Sequence, residues 1–198
     1  MSQAVLARRT AIAVAAGVLG LALNRLPLTT VTPLLLGRVA TLPVAILFGP
    51  YLGALAAAIG ALALVGAPFV VAGSIILPLE GYLIGSLARR GKSPLVGGVV
   101  VWVSLGATLG LAPWLFRVDY AQQTLWAIAL QLPLTGLVAV VIAELISVIV
   151  APRIDVATAW RPGRLGLRAY AFHAFVLVAT LPLLLLSTTD NQFSAARQ

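Results

Sequence analysis

Apolar runs long enough to cross a bilayer fill nearly the whole sequence, and the segments between them are short, basic and broken by glycine and proline. About 18 or more apolar residues in a row read as a spanning helix, because ~20 residues at a 1.5 Å rise match a ~30 Å hydrocarbon layer. Little is left over for a soluble domain. Only 9% of the 198 residues are charged, with a mean hydropathy of +1.08, where soluble domains carry roughly 25%. The expected fold class is all-α: a polytopic membrane helix bundle.

The net charge of +8 is spread over short clusters between apolar runs rather than along one polar face. Such clusters read as topology signals and not as a nucleic-acid footprint. The chain has no cysteine, which excludes disulfides, thiolate catalysis and cysteine-ligated metals. The first apolar run follows Arg8 and Arg9 and continues to Asn24 without a small-x-small cleavage site, so it reads as a retained anchor.

Charge clusters and turn signals then thread the chain. Helix one is predicted over residues 10 to 24, leaving the cytoplasm. Arg89, Arg90 and Lys92 mark the next cytoplasmic loop, so an odd number of crossings lies between. Gly49-Pro50 and Gly66-Ala67-Pro68 divide that stretch into helices over 33 to 48, 50 to 66 and 68 to 87. The first two are short for full spans, and Pro43 predicts a kink. Helix five is expected over 95 to 115, followed by an aromatic and polar outer belt from Trp114 to Trp126, and helix six over 122 to 150.

Residues 1–151 thus form a predicted six-helix unit, 152–168 a basic cytoplasmic linker, and 169–198 a seventh transmembrane helix with an outer polar tail leading into a further domain. The expected location is the bacterial inner (cytoplasmic) membrane, multi-pass, with the N-terminus cytoplasmic and the C-terminus outside.

Three ionisable residues fall inside predicted helices: Arg38, Glu80 and Glu144. A charge at the bilayer centre costs about 2.5–3.5 kcal/mol even on the lenient insertion scale, so such groups face the interior or water and need a partner. Arg38 either snorkels to the outer headgroups or takes a pairing or ligand-binding role, with Glu80 as the first candidate partner, and Glu80 reads as an interior pair or a ligand contact. Glu144 is either a wet helix end or a protonatable or pairing group. Both glutamates precede the cytoplasmic end of their helix by about seven residues, ~10 Å, which predicts a shared depth. His173, the single histidine, reads as interfacial, with a pH sensor as the alternative.

Small residues recur every fourth position. Gly49, Gly53, Ala57 and Ala61 do so in the third helix, Ala7, Ala11 and Ala15 in the first, and Gly106 with Gly110 in the fifth; Gly81 and Gly85 of the fourth are further packing candidates. Such stripes let backbones approach closely, for internal packing or for docking a partner. No catalytic constellation is present: there is no second histidine for a metal site, no serine-histidine-acid set and no phosphate loop. Neither cofactor nor metal is expected, and the chain itself is not expected to be an enzyme.

Two resemblances centre on residues 33 to 92. LLLGRVATLPVAILFGPYLGALAAAIGAL and SIILPLEGYLIGSLARR, matching at Arg38, Gly49, Pro50, Gly53, Glu80, Gly81 and Gly85, resemble the membrane input domains of LytS-type sensor kinases. FGPYLGALAAAIGAL, with the Ala7, Ala11 and Ala15 stripe, also resembles the substrate-binding S components of energy-coupling factor vitamin transporters. Both imply a six-helix S-component-like bundle. RPGRLGLRAYAFHAFVLVATLPLLLLSTTD looks like the linker and helix ahead of an extracytoplasmic domain in histidine kinases and diguanylate cyclases.

The first resemblance implies the N-terminal sensing or anchoring region of a signal-transduction protein, a homodimer if it belongs to a sensor kinase, whose kinase would lie beyond residue 198. The second implies a nutrient-binding transporter subunit. The expected partners are the lipid bilayer and, if the bundle senses or carries, a small-molecule ligand; nucleic acid is not among them.

Overall fold

A computed structural model describes residues 2–26, 35–65, 70–116, 122–154 and Phe175. The expected linker beyond Ile154, the seventh helix with His173, and the outer belt from Arg117 to Tyr120 lie outside these residues. Six helices are present among the described residues and no strand. They are α1 (Gln3–Asn24), α2 (Arg38–Phe48), α3 (Pro50–Ala61), α4 (Val70–Arg89), α5 (Pro94–Phe116) and α6 (Gln122–Val150).

Local chemistry explains several boundaries. Ser2 caps α1 by accepting from the Val5 N–H at 3.4 Å. Gly49 ends α2 and opens α3 at φ +95°, a conformation that β-carbon-bearing residues rarely adopt, and Pro50 occupies the first turn of α3. Pro43 stands inside α2, which continues past it to Phe48. The expected second helix over 33 to 48 is shorter than its hydropathy predicts: Gly37 precedes the first turn, so Arg38 opens the helix instead of lying one turn inside it. At 11 residues, or about 16 Å, α2 is half a span.

Successive helices run antiparallel. Gly37, ahead of α2, meets Asn24 at the end of α1; Gly85 of α4 meets Gly49 and Pro50, while Gly81 meets Gly53. Gly97 of α5 packs on Leu87, and Gly98 packs on Val140 of α6. Consequently α2, α4 and α6 share one direction.

Their common core holds Leu42 and Ile46 of α2, Ile84 and Ala88 of α4, and Ala139, Val140 and Ala143 of α6. Short α2 lies at the centre, touching α1, α3, α4 and α6, and every residue from Thr41 to Pro50 is buried. Apolar side chains remain exposed around the outside, including Val18, Leu19, Leu62, Ile75, Val96, Val100, Val103 and Ile149.

Helix direction gathers charge at one end. Arg8, Arg9, Arg89, Arg90, Lys92 and Arg153 lie where α1, α3 and α5 begin and α2, α4 and α6 finish; of the other described basic residues, Arg25 follows α1 and Arg38 opens α2. Two stretches, Gln3–Asn24 and Pro133–Arg153, are long and apolar enough to cross a membrane, whereas Arg38–Phe48, Pro50–Leu64 and Pro94–Leu105 are shorter apolar helices.

Candidate functional site

Polar side chains are scarce inside this bundle, and three large ones meet. Arg38 opens α2 and is 2% exposed; Glu80, midway along α4, is 1% exposed; Trp102 of α5 is 1% exposed. Arg38 Nε lies 3.3 Å from Glu80 Oε2. Glu80 Oε1 accepts from the Trp102 indole N–H at 2.7 Å. The Arg38 guanidinium stacks over the Trp102 ring, 4.5 Å from its centre. The three groups close a triangle in which each touches the other two, joining α2, α4 and α5.

The geometry follows from chain direction. Because α2 and α4 are parallel, with Gly49 at the end of α2 against Gly85 of α4, the start of α2 comes near the middle of α4. A cation over an indole face is attracted by the ring quadrupole, and a carboxylate that accepts from the ring's N–H forms a charge-assisted hydrogen bond. Each contact offsets part of the cost of removing two charges from water. Trp102 was not anticipated: in sequence it is one more aromatic in an apolar run, and only the α4–α5 pairing brings its N–H to Glu80.

Glu144 is also buried, at 2% exposure, and is no wet helix end. Trp102, which holds Glu80, packs against Gly136, and Glu144 follows Gly136 by eight residues along α6.

The small residues divide by role. Gly53 lies against Ala45 and the Gly81 carbonyl; a β-carbon on Gly81 would stand 2.9 Å from the Gly53 carbonyl oxygen, and one on Gly85 2.8 Å from Pro50 Cα. These glycines let α3 and α4 cross backbone to backbone. Ala57 and Ala61 instead fill a small core with Leu35, Leu64 and Leu77. Ala7, Ala11 and Ala15 are exposed and, with Leu6 and Val14, share one open face of α1.

A second polar knot was equally hidden in the sequence. The Asn24 carboxamide accepts from the Gly37 N–H at 2.7 Å and donates to the Gly60 carbonyl at 3.2 Å, tying the end of α1 to the start of α2 and the end of α3. At the far end of α2, Arg89 donates to the Phe48 carbonyl at 3.5 Å. Polar contacts therefore hold the central half-helix at both ends. Among the described residues no three metal-ligating side chains come together.

No protein-family model matches this chain, and neither a curated protein nor a solved structure matches it. Fold and site define an all-helical bundle that carries two helices able to cross a membrane and an enclosed arginine–glutamate–tryptophan cluster.

Proposed function

We propose that the six helices form a multi-pass, S-component-like bundle in a bacterial cytoplasmic membrane, with the arginine-rich end in the cytoplasm, and that a seventh helix follows over residues 169 to 186. In this reading the chain is the membrane sensing or anchoring region of a signal-transduction protein of the histidine kinase or diguanylate cyclase type. Basic residues at one end and apolar side chains around the outside support the membrane placement.

The observation that carries the sensing role is the buried Arg38–Glu80–Trp102 triangle. It joins a half-helix to two neighbours by directional polar contacts, and such contacts have discrete made and broken arrangements. A solute or bilayer change that favours one arrangement over the other would shift α2 against α4 and α5, and the shift would travel onward along those helices.

The native chain has no cysteine, so single cysteines report sidedness directly. In intact cells, cysteines at Ser2 and Lys92 react with membrane-impermeant maleimide only after the membrane is opened, and one at Arg25 reacts without opening. Labelling of all three from one side removes the multi-pass reading. For sensing, the intact gene product in membranes is compared with its R38M/E80Q double variant. A changed basal phosphorylation or cyclase output at equal protein level is expected; unchanged output leaves anchoring alone.

The exposed small-residue face along Ala7, Ala11 and Ala15 favours one other reading, a nutrient-binding subunit that docks on a separate ATP-driven module. Co-purification with such a module and uptake of a small nutrient would replace the signalling proposal.

A further inference from the structure

Helix α1 turns its buried residues, Ala13, Gly17 and Gly20, toward α2 and α3 and leaves its other side open. Ala4, Ala7, Ala11, Val14 and Val18 are all exposed there, at alternating spacings of three and four. That is the spacing of a seam between two helices, which keeps one stripe facing a partner along its length. Outward residues on other helices are bulkier: Ile75, Leu79 and Tyr82 on α4, and Val96, Val100 and Val103 on α5. Bulky side chains suit contact with lipid, whereas alanines let a second helix backbone come close.

The path of the chain indicates what fills this side. The described chain leaves α6 at Ile154, at the end of the bundle where α1 begins, and Ile154 packs on the same cluster as Val5, Ile12 and Ala16 of α1. The next apolar run starts at Ala169. Residues 155–168 between them reach up to about 50 Å when extended, and a helix such as α1 is only ~10–12 Å across.

That run repeats the seam. Ala171, Ala174, Val178 and Leu181 are spaced by three, four and three, and Phe175, 68% exposed, falls between them. Arg8 and Arg168 each stand at the foot of an apolar run. Setting them level brings Ala171 opposite Ala11, Ala174 opposite Val14 and Val178 opposite Val18.

We propose that the exposed face of α1 is the docking surface for a helix formed by residues 169–186 of the same chain, which runs parallel to α1 with Ala171, Ala174 and Val178 against Ala11, Val14 and Val18. The proposal rests on the reading above that this run crosses the membrane. A face filled in this way is closed to a separate ATP-driven module.

The full chain, which has no native cysteine, is expressed with the pairs A11C/A171C, V18C/V178C or V18C/V176C, and membranes are oxidised with copper phenanthroline. Helices with alanine at the seam approach to about 8 Å between axes, and Cα atoms lie ~2.3 Å from each axis, so facing Cα atoms fall near the ~4.4–6.8 Å that a disulfide spans. The first two pairs are expected to cross-link within one chain, so that the pieces on either side of the linker stay joined after tryptic cleavage at Arg161 or Arg164. V18C/V176C, with its second cysteine on the other side of the helix, is expected to give about a tenth of that yield or less.

The proposal is overturned by no cross-link in the two facing pairs, by equal yields from V18C/V178C and V18C/V176C (random collision), or by disulfide-linked dimers of A11C alone (a second copy on this face). Membrane-impermeant maleimide at S187C reads the seventh span separately. Its reaction in intact cells without a cross-link overturns the docking and keeps the span; reaction only after the membrane is opened removes the span and the docking with it.

Discussion

Removing one member of the Arg38–Glu80 pair is expected to be far more damaging than removing both. The groups are 3.3 Å apart and almost fully enclosed. At an effective dielectric of ~20, unit charges at that separation attract by about 4–5 kcal/mol. E80Q deletes this attraction but leaves the Arg38 charge inside, and R38M does the converse, so each is expected to cost about 3–5 kcal/mol. The double variant R38M/E80Q carries no buried charge at the pair and nearly conserves volume. It is expected to fall within about 2 kcal/mol of the wild type. The resulting coupling is at least about 4 kcal/mol, measured by reversible unfolding in mixed micelles across the full cycle. W102F extends the test: it keeps a ring face for the guanidinium but removes the N–H from Glu80, at an expected cost of about 1–3 kcal/mol. Single-variant effects that add to the double-variant effect within about 0.5 kcal/mol would refute the pairing argument.

Two further variants address packing and the outer knot. G81A places a methyl against the Gly53 carbonyl and is expected to destabilise by about 1–3 kcal/mol, whereas Gly60 has 3.5 Å of clearance to its nearest neighbour, so G60A is neutral or stabilising by up to about 1 kcal/mol in the same unfolding assay. N24A leaves the Gly37 N–H and the Gly60 carbonyl without their side-chain partner and is expected to cost about 2 kcal/mol, with N24D recovering the Gly37 contact only; hydrogen exchange at Gly37 distinguishes the two.

What could be read in advance followed from local rules. The Gly49-Pro50 break, the end of α4 at its arginines and the extent of α6 are set by backbone chemistry and hydropathy within a few residues of each boundary. The start of α2 escaped because Leu34 to Gly37 continues the apolar run, and hydropathy does not register where a helix begins inside one. Glu80's need for an interior partner was legible, since burial of a carboxylate carries that demand anywhere. The Gly53–Gly81 crossing was visible only as two separate stripes, each of which fits many faces in a chain this rich in glycine and alanine.

The sequence by itself determined that the chain is helical, where most helices break, and which charges must find partners, because desolvation and backbone hydrogen bonding act on each segment regardless of its neighbours. Only the tertiary structure decided the partners. Parallel α2 and α4 bring Arg38 to Glu80, and the α4–α5 hairpin supplies the Trp102 N–H. Depth inside a bundle depends on where each helix starts relative to the others, and that is a property of the packed helices together.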